Sequence, residues 1–83
     1  MADSPAAAAL IRRAAEYLRR DADLSARLGR SVMLNPAEVR ELAGWLEFEA
    51  RTLESGETRP GEPAADYAWR ISRAYLHEAG EDA

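Results

Sequence analysis

The chain contains no cysteine and no lysine, and it has one histidine and one phenylalanine in 83 residues. Without cysteine there is neither a disulfide staple nor a thiolate metal site. A lone histidine, His77, cannot build a histidine-rich metal centre or an ordinary nucleophile–histidine triad. His77 and Glu81 have i, i+4 spacing, but two ligands fall short of a site, and no cofactor is expected. No apolar run approaches the ~18 residues of a membrane span. The opening MADSPAAAALIRR lacks a basic leader followed by a sustained apolar stretch, so no signal peptide and a cytoplasmic location are expected. No glycine-rich phosphate loop occurs either. RPGEP, the nearest candidate, reads as a joint between helices.

What remains is one small domain with a thin core. A chain this short hides roughly 60–65% of the surface that its unfolded form exposes. Such domains usually lean on a staple, and here only a partner chain or very regular helix packing can serve. Eighteen residues are alanine and all eleven basic residues are arginine, a bias that suits a GC-rich genome. The net charge of −4 disfavours non-specific binding to nucleic acid or anionic membrane. Charge is unevenly spread: six arginines against three acids from Leu10 to Ser31, two against six from Pro36 to Glu57.

Apolar spacing points to an all-α three-helix bundle in a single domain, 1–83, with no strand alternation. Helix 1 is expected over about 5–20, opened by a Ser4 cap and Pro5. Ala7, Leu10, Ala14, Tyr17 and Leu18 share its apolar face. Asp21 falls in the middle of that face: either the helix breaks near Arg20, which the preference of Asp for caps favours, or Asp21 sits inside a longer helix, half-buried against an Arg. A short turn over about 23–28 follows, stopped by Gly29. Helix 2, about 36–55, has the clearest start: Asn35 as cap, Pro36 first, Glu38 reaching back, and a Leu34–Val39 staple. Its seam is Val39, Leu42, Ala43, Leu46, Ala50 and Leu53. Helix 3, about 63–79, shows an apolar arc of roughly 160° that includes Ala64, Ala68, Ile71 and Tyr75. The expected core is Leu10, Leu18, Val39, Leu42, Leu46, Leu53, Ile71, Tyr75 and Leu76.

Two surfaces stand out from this pattern. In the stretch GWLEFEA, Trp45 lies about 100° from the helix-2 seam and Phe48 nearly opposite it. With Glu41, Glu49 and Thr52 around them, they form an aromatic pair rimmed by polar groups, the composition of a protein interface. On helix 1, Arg12, Arg13, Arg19 and Arg20, with Arg27 and Arg30 beyond, form a basic stripe open to an acidic partner or to phosphates. Pairs from Glu16 to Arg12 and Arg20 within the helix are its structural alternative. DLSARLGRS, Asp23 to Ser31, has the rhythm of a first helix and turn in a helix-turn-helix. No recognition helix follows closely, and up to Glu47 helix 2 carries Glu38, Glu41 and Glu47 against Arg40 alone.

Three phrases, LIRRAAEYLRR, VRELAGWLEFEA and ISRAYLHEAG, give the chain a resemblance to a loose set of small all-helical actinobacterial and actinophage proteins. Residues Leu10 to Ala15, Trp45 and Leu46, and Arg73 to Leu76 carry it. The joint before helix 2 is shorter than such proteins often have. The resemblance implies a high-GC bacterial or mobile-element origin and no activity. Taken together, the residues point to a non-enzymatic protein–protein interaction module that pairs with itself as a homodimer. A small DNA-binding regulator and a phage-encoded inhibitor that docks on a host protein are the other two readings.

Overall fold

The structure, a computed structural model, describes residues 3–28, 36–78 and 80, with side chains at all of these except 24–28. The described residues form three helices: α1 (Ser4–Leu28), α2 (Pro36–Ser55) and α3 (Pro63–Glu78). They form an all-α bundle measuring 39 × 23 × 16 Å, in which α1 packs on both other helices.

α1 departs from the expected helix at both ends. Its cap is Asp3, whose carboxylate accepts from the Ala6 backbone N–H at 3.0 Å, so Ser4 is already helical. Asp serves that position as well as Ser does. The helix then runs through Arg20 and Asp21 without a break to Leu28, absorbing the separate turn expected over 23–28. Asp21 is exposed at the α3 side, where its carboxylate accepts from the Tyr75 hydroxyl. A poor helix former costs only a few tenths of a kcal/mol, which tertiary partners readily offset. The Gly29 stop, the Leu34 staple and the Asn35 cap lie outside the described residues.

α2 and α1 form an antiparallel hairpin. Arg12 pairs with Glu54, Arg19 with Glu47 at 2.9 Å and Asp23 with Arg40 at 2.8 Å, so ascending positions on α1 meet descending ones on α2. Glu54, Glu47 and Arg40 are seven residues apart, as are Arg12 and Arg19, the repeat of two helices in coiled-coil contact. The seam behind these pairs repeats the same way. Ala8, Ala15 and Ala22 on α1, and Ala43 and Ala50 on α2, are all almost completely buried. Side chains this small let two helix backbones approach closely.

The core therefore sits further round α1 than the leucine pattern suggested. Ala7, Ala8, Ile11, Ala14, Ala15, Leu18 and Ala22 are buried, whereas Leu10 and Tyr17 lie at its edge. Ile11 is fully buried, beside Leu46, Leu53 and Leu76 as the largest such side chains. On α3 only half of the apolar arc is used: Ala65, Ala68, Ser72 and Leu76 face inward. Ile71, expected in the core, is half-exposed. α2 ends where expected, with Gly56 in the left-handed region at φ 82° as its stop.

The Tyr75–Asp21 bond ties α3 to α1 and makes the fold sensitive to alkali. Partial burial, and then the hydrogen bond to Asp21, push the Tyr75 hydroxyl well above its ordinary pKa of 10.0. A raised pKa means that the folded state prefers neutral tyrosine. The stabilisation is complete below pH 10 and is lost as pH rises through the raised value. Tyr75→Phe is expected to cost about 1 kcal/mol at neutral pH, the net worth of a hydrogen bond. It should also flatten the fall in melting temperature above pH 10. Melting curves from pH 7 to 11 on both proteins measure this, and parallel declines would refute it.

Candidate functional site

α2 has two polar-looking flanks, and the bundle treats them differently. Glu49 and Thr52, expected beside Phe48 on an open rim, are 6% and 7% exposed. The Thr52 hydroxyl donates to the Glu49 backbone carbonyl at 2.9 Å, which satisfies it without water. The buried arc of α2 is wider than its apolar seam because both α1 and α3 pack on this helix. Trp45 is drawn in at the edge of that arc, half-buried against the core.

Phe48 stays out, 53% exposed. Its neighbours on the outer flank are Glu41, Gly44 and Arg51 rather than Glu49 and Thr52. Ala37, Glu41, Gly44, Phe48, Arg51 and Ser55 follow one another at alternating steps of four and three, a single stripe along the helix. All are exposed except Gly44, which is half-exposed. Neither Glu41 nor Arg51 makes a hydrogen bond or ion pair among the described residues. Arg51 acts on Glu47 through its charge alone.

Gly44 is the odd member of the stripe. Glycine inside a helix costs roughly 0.5–1 kcal/mol relative to alanine. A close approach within the fold would explain it, yet a β-carbon at Gly44 would meet nothing within 4 Å beyond its own turns of helix. The internal packing of the chain does not call for glycine here. Phe48 and Gly44 thus stand side by side, a projecting ring and a gap in the side-chain surface.

The arginine stripe of α1 is largely engaged within the bundle. Arg12 and Arg19 reach across to Glu54 and Glu47 on α2, rather than to Glu16 within the helix. The hydrogen bond from Arg19 holds the Glu47 carboxyl below its ordinary pKa, and burial opposes it. The same bond raises the Arg19 value. Any stability this pair supplies is present above the carboxylate range and lost as pH falls through the lowered Glu47 value. At surface positions such pairs contribute about 0–1 kcal/mol. Arg20 lies over the Tyr17 ring at 5.6 Å, and Arg13 is exposed. The Arg27 side chain and Arg30 lie outside the described residues, as does Glu81, the residue spaced with His77.

The other outward feature is α3. Tyr67 is 64% exposed, and Tyr67, Arg70, Ile71 and Ala74 border a shallow depression. A second lies along Trp69, Arg70, Arg73, Ala74 and His77, where the Arg73 guanidinium covers the Trp69 ring at 5.2 Å. Arg70 also pairs with Asp66 at 3.1 Å. Among the described residues no group of three or more potential ligands stands together to hold a metal ion. Among them, too, no helix is long and apolar enough to cross a membrane.

The Phe48 stripe can be traced in the sequence by stepping four and three residues from Phe48, a spacing that any single face of a helix shows. In comparisons with known proteins, no family model matches this chain, and no curated protein or solved structure matches it significantly.

Proposed function

We propose that this protein is a small non-enzymatic interaction module that works as a homodimer, with the outer face of α2 as its contact surface. The observation that carries the reading is Phe48: a large apolar ring half in water on a helix whose own core lies opposite. Single exposed aromatics are common, but this one adjoins an unneeded helical glycine and two charges without a hydrogen bond or ion pair among the described residues. Tyr67 is more exposed still, yet its hydroxyl suits water. A thin, cysteine-free core gives a second chain a further role, as the staple that small domains need.

The basic stripe of α1 supports a DNA-binding regulator less well, because Arg12 and Arg19 are already paired with acids of α2. Docking on a foreign protein through the same α2 face is the competing use of this surface. An actinobacterial or phage origin is proposed on the resemblance alone, and a cytoplasmic setting on the composition.

Absolute mass by light scattering on a sizing column is the decisive measurement for self-association. The expected result is a dimer of the 9.2 kDa chain that dissociates on dilution. Phe48→Arg should give a monomer with unchanged helical circular dichroism. Truncating a true interface anchor costs about 2 kcal/mol or more, roughly thirtyfold in affinity. A wild-type monomer at every concentration overturns the reading. So does a dimer that Tyr67→Arg dissolves and Phe48→Arg leaves intact.

A further inference from the structure

The geometry points to a specific partner arrangement for that surface: two copies of α2 cross antiparallel about a two-fold axis at the level of Leu46. The ring of Phe48 from each chain fills the gap at Gly44 of the other, and Glu41 of each chain meets Arg51 of the other. This inference rests on the proposed self-association and goes beyond it to the register.

The argument comes from the six-residue stripe. In a two-fold antiparallel pair, each position meets one equally far on the other side of the axis. Midway along the stripe lies residue 46, whose own side chain points the other way, into the core. About that midpoint Gly44 faces Phe48, Glu41 faces Arg51, and Ala37 faces Ser55. Every pairing is complementary: a gap meets a projecting ring, an acid meets a base, and two small residues meet at the rim. The two-fold axis produces each of them twice. Shifting the register by one step of the stripe sets Phe48 against Glu41 in one direction and against the Phe48 of the other chain in the other, and in both Gly44 loses its ring and the Glu41–Arg51 pairs are broken.

The properties of the isolated fold agree. Glu41 and Arg51 make no hydrogen bond or ion pair among the described residues, so both are available to a second chain. A β-carbon is tolerated at Gly44 by the fold itself, so glycine there is explained by what docks on it. Charges matched across an interface set register and exclude wrong pairings more than they add raw affinity.

Absence of cysteine makes the test clean. Glu41→Cys chains mixed with Arg51→Cys chains should cross-link under mild oxidation, with the second Glu41–Arg51 pair still intact. Glu41→Cys alone should not, because in this register its two copies lie roughly 15 Å apart along the axis. A disulfide needs Cα atoms within about 7 Å. Glu41→Arg or Arg51→Glu should each weaken the dimer roughly tenfold or more by setting like charges together, and the double reversal should restore it. Gly44→Leu should raise the melting temperature of the monomer while weakening the dimer.

The outcomes separate the two claims. A dimer that Phe48→Arg dissolves, but that shows neither the mixed cross-link nor rescue by double reversal, overturns the register and leaves self-association standing. Single reversals without effect do the same. A chain that never dimerises overturns both. Circular dichroism on each variant excludes unfolding as the cause, since Glu41 and Arg51 are exposed.

Discussion

Leu46→Ala is expected to lower the melting temperature by roughly 8–40 °C. Leu46 is fully buried and central in α2, between Ala43 and Ala50 along the seam that meets α1. Removing its isobutyl group loses transfer free energy and leaves a cavity, together about 2–5 kcal/mol for leucine to alanine. A domain of 60–100 residues loses roughly 4–8 °C per kcal/mol. Marginal stability of about 5–15 kcal/mol leaves little to spare. Thermal unfolding followed by circular dichroism measures the effect. Leu42→Ala, at a half-buried position on the same helix, is the control and should cost clearly less. Equal losses at the two positions would mean that the leucines share burial evenly and that the seam is not the core.

Ala15→Leu is the second large effect, and it runs the opposite way in volume. Ala15 is fully buried in the middle of the Ala8–Ala15–Ala22 row. A leucine there has no space unless the α1 and α2 backbones separate, and separation stretches the Arg12–Glu54 and Arg19–Glu47 pairs at the edge of the same contact. Overpacking a close-packed core costs typically about 1–3 kcal/mol, occasionally more. Ala9→Leu makes the same chemical change on an exposed position of the same helix and should fall within about 0.5 kcal/mol of the parent. Chemical denaturation of the three proteins gives the comparison. If Ala15→Leu unfolds like Ala9→Leu, the alanine row is not a close contact.

These two substitutions also show where sequence patterns succeed. α2 was legible to the residue because Pro36 marks its start and Ser55-Gly56 its end. Its leucines fall on one face with no competitor. α1 was harder for a physical reason: alanine is equally at home inside and outside a helix contact, so a helix with Ala7, Ala8, Ala14 and Ala15 on two flanks does not declare which flank is buried. The leucines and Tyr17 centred the face near Leu10; close approach to α2 rotated it, keeping Ala7, Ala14 and Leu18 inside, adding Ile11 with Ala8, Ala15 and Ala22, and leaving Leu10 and Tyr17 at the edge. Asp21 misled because local preference is weak against one good partner, Tyr75, which is 54 residues away in sequence. Glu49 and Thr52 look open in the sequence because one helix wheel does not say where a third helix lands. Phe48 was legible as an outlier, whereas its relation to Gly44 emerged only once the bundle was seen to leave that gap empty.

The two tryptophans occupy different worlds within the bundle. Trp69 has its indole N–H buried with no hydrogen-bond partner among the described residues, so its surroundings change when α3 leaves the other helices. Trp45 is half-buried at the margin of the Phe48 stripe, where the proposed second chain would alter its access to water without any helix unravelling. The chain thus carries two intrinsic fluorophores that report separate events. In the proposed dimer, emission from a Trp69→Phe protein would follow association, and emission from a Trp45→Phe protein would follow unfolding, with no dye attached.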